Sequence, residues 1–196
     1  MLADGPLWSV YDEAIPPEER EPREVIAASI RRGVGLAAVL RDGGEAVAMA
    51  TVHLLRDPAA VFLVYLTVRR DLRGTGLGGR TLEAVLAAGR TKLRADGVEP
   101  LGAVWECDDP GRASGPERER RERRIRFFGH HGAQVLDAPY VQPPVDGVTP
   151  VPMVLLWRPW TPALPALEPL IDAIYDQKYG AVNGIPAAVL DGLRGR

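Results

Sequence analysis

The stretch from Val61 to Leu93, VFLVYLTVRRDLRGTGLGGRTLEAVLAAGRTKL, constrains the fold more than any other. Its first eight residues, Val61 to Val68, are apolar, β-branched or aromatic and do not alternate with polar ones. That pattern predicts a strand buried on both faces. Arg73-Gly74-Thr75-Gly76-Leu77-Gly78-Gly79 follows, a turn almost without side chains, where a ligand can approach the backbone. Leu82, Val85, Leu86, Gly89 and Leu93 then fall on one helical face. A strand, a glycine turn and a helix N-terminus together make an anion site. Free N–H groups and the positive end of the helix dipole converge on the turn. A phosphorylated ligand is expected there.

The rest of the chain is read around this unit. Leu7 to Ala14 reads as a first strand, ended by Pro16-Pro17. Glu18 to Arg32 reads as helical, with Pro22 as the point that splits it into a short turn and a longer helix, and with acidic residues early and basic residues late. Gly35 to Arg41 and Ala46 to Leu55 are strands joined by Asp42-Gly43-Gly44, a hairpin signal. With Val61–Val68 they give three antiparallel strands before the glycine turn. Asp96-Gly97 closes the helix. Leu101 to Glu106 is the next strand, parallel to Val61–Val68 through a right-handed crossover. Glu117 to Phe128 is a charged helix, Ala133 to Leu136 a strand, Pro139 to Pro150 a proline-rich loop, and Val151 to Trp157 a last strand. Leu167 to Tyr179 and Pro186 to Leu193 read as C-terminal helices. The class is α/β (α+β): a mixed sheet flanked by helices, with a main domain over 1–158 and a linker and helical extension over 159–196.

Composition narrows the function. A net charge of −2 argues against a dedicated nucleic-acid binder. A single cysteine, Cys107, leaves no internal disulfide and fits a reducing compartment. With few, scattered histidines no metal site is expected. The N-terminus lacks the charge and apolar core of a secretory signal, and no apolar run is long enough to span a bilayer. A cytoplasmic chain without membrane contact is the expectation.

Three phosphate-site patterns compete for the glycine turn. The P-loop fails, because Gly79 is followed by Arg80 and the spacing is wrong. Gly74-Thr75-Gly76-Leu77-Gly78-Gly79 matches G-x-G-x-x-G, the mark of a nicotinamide-dependent oxidoreductase. However, Arg69 to Arg73 separates it from the strand, and antiparallel strands come first. The third pattern, R-x-x-G-x-G, is met by Arg73 to Gly78. With the strand and offset before it, YLTVRRDLRGTGLGGRTLEAVL resembles the GCN5-related N-acetyltransferase (GNAT) superfamily, over about residues 7 to 158.

The resemblance implies acetyl-CoA, or another acyl-CoA, as co-substrate. Its pyrophosphate would lie on Arg73, Gly74, Thr75, Gly76, Leu77, Gly78 and Gly79, and its pantetheine arm along Leu66, Thr67 and Val68. The Val68 N–H would act as oxyanion donor. The implied reaction is acetyl transfer to an amine by direct attack in a ternary complex. Glu106, at the end of the following strand, is the candidate general base, with Asp108 as runner-up. The family's usual tyrosine acid is replaced by Phe128. Tyr140 or His130 would have to supply the proton, or the thiolate leaves unassisted. This departure keeps open a non-catalytic acyl-CoA-binding or regulatory module. Trp8, Tyr11, Glu18, Glu19 and Glu21 fall where the family forms its acceptor pocket. The acceptor itself, a small-molecule or peptide amine or a tRNA-linked one, is not specified. His53 reads as structural or a substrate contact. The six arginines and three glutamates of Glu117–Arg126 read as a solvated helix, with CoA 3′-phosphate or an acidic acceptor as the alternative. The C-terminal helices would pack on the domain or form a homodimer contact.

Overall fold

The computed structural model describes residues 5–145 and 149–194, the side chain of Glu18 excepted. The extreme N-terminus and residues 146–148 of the Pro139–Pro150 loop lie outside the described residues.

Two helices open the chain, α1 (Pro6–Ala14) and α2 (Arg23–Arg31). The first replaces the strand expected over Leu7–Ala14. Leu7, Trp8, Val10 and Tyr11 are all buried, and that spacing is one side of a helix, not an alternation. Pro6 begins the helix, where its missing N–H costs nothing. Pro22 does separate α2 from the short turn before it.

Strands β1 (Gly35–Asp42), β2 (Glu45–Arg56) and β3 (Ala59–Val68) form an antiparallel meander. Gly43 and Gly44, at φ 54° and 90°, make the tight turn between the first two. Helix α3 (Leu77–Ala95) crosses to β4 (Gly102–Asp108), which runs parallel to β3. Then follow α4 (Gly115–His130), β5 (Gln134–Val135), β6 (Tyr140–Gln142) and β7 (Val151–Pro159). The seven-stranded sheet has the order β1-β2-β3-β4-β7-β5, with β6 also on β7. The short β6 lies inside the stretch read as loop.

Helices α3 and α4 cover one face, where Leu82, Val85, Leu86 and Phe128 meet Val61, Leu63, Ala103 and Trp105. Gly89 permits this approach: a Cβ there would lie 2.9 Å from both Val61 methyls. The opposite face is covered at one end by α1 and α2, and elsewhere by the C-terminal residues. These form α5 (Leu167–Ala173), a wide π-helical segment (Ile174–Gly180) and α6 (Ala187–Leu193). Leu170, Ile174, Tyr175 and Leu190 pack on Phe62, Val104 and Trp157. Each large apolar side chain buried there contributes about 1.5–3 kcal/mol. The apolar stripe read in Leu167–Tyr179 is thus spent on the chain's own sheet.

Candidate functional site

The site begins with a fault in the sheet. The β2–β3 register shifts between Thr51 and Val52, leaving Val64 as an extra residue on β3. Such a bulge bends its strand. Beyond it, Leu63 packs toward α3, Val64 toward the C-terminal segment and Tyr65 toward the N-terminal helices. The β3–β4 ladder runs only from Ala60↔Gly102 to Leu63↔Trp105. Tyr65–Val68 then pairs with β2 alone, and Glu106–Asp108 with β7 alone. The two parallel strands therefore part at their C-terminal ends. The Arg69 N–H donates to Val47 O on β2 at 2.9 Å. Since successive N–H groups point to opposite edges of a strand, that of Val68 faces the gap.

The glycine turn lies at the β3 side of this gap. Gly74 and Gly76 adopt φ of 82° and 84°, a left-handed backbone that favours glycine. Thr75 Oγ1 donates to Leu72 O at 2.7 Å, and Arg73 Nε to Val68 O at 3.3 Å. Gly76 caps α3 without a side chain, so the N–H groups of Leu77, Gly78 and Gly79 lack helical partners. An open groove of about 640 Å³ lies against this end of the helix, lined by Gly76, Gly79, Arg80, Glu83, Phe127 and His131. A Cβ on Gly79 would lie 2.7 Å from the His131 ring. The His131 ring is in turn held by Phe127 and by Glu83, at 3.2 Å from Nδ1.

Across the gap, Glu106 is half-buried at the end of β4. It projects to the face opposite Trp105 and Cys107. Tyr140 and Gln142, two apart on β6, reach it across β7. Tyr140 Oη donates to Oε1, and Gln142 Nε2 to Oε2 at 2.7 Å. A third donor comes from the π-helical segment: Tyr179 Oη lies 2.9 and 2.8 Å from the two carboxylate oxygens. Burial raises the Glu106 carboxyl above its ordinary range, while the Tyr140, Tyr179 and Gln142 donors oppose that rise. Burial and the adjoining Glu106 charge hold both tyrosine hydroxyls well above theirs. Sequence reasoning reached Glu106 and Tyr140 but missed Gln142 and Tyr179. A three-residue strand has no readable period, and Tyr179 lies 73 residues from its partner.

Other candidates are differently placed. Phe128 is buried against Trp105, with ring centroids 4.9 Å apart, and offers no proton. Trp8 and Tyr11 are core residues, packed edge-to-face. Glu21 is buried and paired with Lys178, and Asn183 donates to it at 2.9 Å. It is therefore not free to meet a cationic substrate. His53 is 2% exposed, and its Nδ1 has no partner among the described residues. Burial first, then the Lys178 and Arg32 charges, push it down to about 3. Asp108 pairs with Arg124 at 2.9 Å. Burial pushes the Cys107 thiol up to about 12. Each of the six arginines of Glu117–Arg126 has a carboxylate partner, as a solvated helix does. Among the described residues no group of three or more His, Cys, Asp or Glu is arranged to hold a metal. No helix among them is long and apolar enough to cross a membrane.

This fold, with parted parallel strands beside a glycine turn, has known counterparts. The model of the acetyltransferase (GNAT) family matches residues 6–113, more than half of the chain. The chain belongs to the GNAT family of acetyltransferases. A GNAT-family protein from Bacteroides thetaiotaomicron superposes with a TM-score of 0.66 at 22% identity, covering 92% of this chain and 91% of its own. The ribosomal-protein-S18-alanine N-acetyltransferase of Escherichia coli gives 0.54 at 18% identity, covering 83% and 90%. Arabidopsis thaliana Naa50, in complex with the bisubstrate analogue CoA-Ac-MVNAL, gives 0.50 at 16%, covering 72% and 83%. At these identities the likeness is one of fold. No curated protein sequence matches the chain.

Proposed function

We infer that the protein transfers an acetyl group from acetyl-CoA to an amine, by direct attack in a ternary complex. The observation that carries this reading is the gap where β3 and β4 part, with the Val68 end of β3 on one side and Glu106 on the other. On this reading the CoA pyrophosphate lies on the amides from Arg73 to Gly79, where backbone donors suffice. The pantetheine arm follows Leu66, Thr67 and Val68 as an added strand would. The thioester oxygen accepts from the Val68 N–H, which stabilises the tetrahedral oxyanion.

Glu106 takes the proton from the attacking nitrogen. A carboxyl raised by burial is better matched to this at neutral pH than an exposed one. The C–N bond forms, the C–S bond breaks, and CoA departs as thiolate. Tyr140 serves the base rather than the leaving group. Its hydroxyl is committed to Glu106 and held above its ordinary range, a poor donor to a thiolate whose conjugate acid has a pKa of about 8.5. The Arabidopsis Naa50 structure is in complex with the bisubstrate analogue CoA-Ac-MVNAL, which supports an amine acceptor.

Phe128 in the usual tyrosine place favours a second reading, a module that binds acyl-CoA without turning it over. One experiment separates the two. Acetyl-CoA raises the melting temperature under either reading, and NADPH does not. Release of free CoA thiol in a broad amine screen, slowed in Glu106→Gln, is expected only of the enzyme. Stabilisation by NADPH and not acetyl-CoA would remove both.

A further inference from the structure

We propose that the π-helical segment Ile174–Gly180 is part of the active site, with Tyr179 as the positioning residue that fixes the Glu106 carboxylate at the gap. The inference rests on Glu106 being the base. Nothing in the family match reaches this segment, since that match ends at residue 113.

Three contacts tie the segment to the site. Tyr179 Oη bridges both Glu106 oxygens and accepts from Gln142 Nε2 at 3.3 Å. Tyr175 Oη donates to Val141 O at 2.6 Å, holding the strand that carries Tyr140 and Gln142. Lys178 is buried on Glu21, and Asn183 Oδ1 accepts from its Nζ at 2.7 Å. Tyr175, Lys178 and Tyr179 stand at i, i+3 and i+4 within the segment, a spacing that keeps the three on one helical face. The charge around Glu106 is accounted for. Tyr140 and Gln142 face it from β6, and Tyr175 and Tyr179 from the π-helical segment. Lys178 lies beyond, neutralised by Glu21, and the neighbouring Asp108 is paired with Arg124.

A bridging donor does two things. It prevents rotation of the carboxylate, so that one lone pair stays aimed at the incoming nitrogen. It also favours the anion, opposing the rise that burial causes. Removing the hydroxyl alone therefore leaves a base that is less well aimed and protonates more readily.

The test follows the Glu106 carboxyl by carbon-13 NMR across pH in the full chain, its signal assigned by its loss in Glu106→Gln. Tyr179→Phe keeps the ring packed on Phe62 and removes only the hydroxyl. Its Glu106 midpoint is expected to rise by about one pH unit, the worth of a hydrogen bond to a charged group. Replacing Tyr179 with 3-fluorotyrosine, a stronger donor, moves the midpoint down and covers the case in which Tyr179→Phe does not fold. Arg194→Gln is the control. It loosens the same C-terminal region through Asp172, Asp176, Asp191 and the Tyr175 ring without touching Glu106, and moves the midpoint by only a fraction of the Tyr179→Phe shift. An unmoved or lowered midpoint in Tyr179→Phe, or an equal shift in Arg194→Gln, overturns the proposal. These outcomes are distinct from failure of the acetyl-transfer reading, which shows as unimpaired thiol release by Glu106→Gln.

Discussion

The glycine turn before α3 and the cluster around Glu106 sit at the same end of the sheet, yet they are assembled from different material. The turn is contiguous, Arg73 to Gly79, and presents backbone amides. The cluster gathers side chains from β4, β6 and the π-helical segment, with residues 106, 140, 142 and 179 in contact. A site of backbone donors depends on local conformation and tolerates changes of side chain outside its special φ angles. A site of side chains depends on long-range packing, and each member depends on the others. Affinity for cofactor and power to transfer should therefore be separable by mutation.

Lys178→Met should show the largest effect on the side-chain region. It strands the buried Glu21 carboxylate, both partners being under 5% exposed. Urea unfolding should show a loss of about 3–5 kcal/mol. Glu106→Gln comes next: kcat/KM for the best amine should fall by about a hundredfold, with acetyl-CoA affinity by calorimetry unchanged. A parallel loss of both would end the separation.

His53 tests the packing behind the cluster through pH. Its folded value of about 3 lies below the ordinary 6.5, so the unfolded chain binds the proton first as pH falls. Stability conferred by the neutral ring is complete above about 6.5 and declines below it, by about 2 kcal/mol between pH 7 and 5. Stability curves of His53→Asn should lack that slope, and an equal slope would assign it elsewhere. The smallest effect belongs to the turn. Gly76→Ala places a Cβ in open space at φ 84°, so it meets only the left-handed strain of about 1–2 kcal/mol. Any relaxation of the turn moves the amides of Leu77 to Gly79. Acetyl-CoA should bind more weakly while Glu106 titrates as before.

The same contrast explains what was legible in the sequence. The unbroken apolar run of β3, the glycine spacing and the helical period of α3 lie side by side, so strand, turn, helix and crossover were all readable from residues 61 to 106. Glu106 was reached by counting to the end of the next strand. Gln142 and Tyr179 were not reached, because neither a three-residue strand nor a π turn has a periodic signature. Leu7–Ala14 forms a helix and not the expected strand, because its buried pairs, Leu7-Trp8 and Val10-Tyr11, recur at helical spacing in a stretch too short to show that period plainly. The C-terminal stripe announced a buried face but not which surface it would meet.

The central claim is that one acetyl-CoA lies between these two regions, with its thioester at the parted strands. Titration of the isotope-labelled protein with acetyl-CoA, followed by backbone amide NMR, tests it most directly. The largest shifts are expected on Leu66 to Val68 and on Gly74 to Gly79, with the Glu106 carboxyl carbon moving in step. Shifts confined to other surfaces, or movement of the turn with Val68 and Glu106 unchanged, would contradict it.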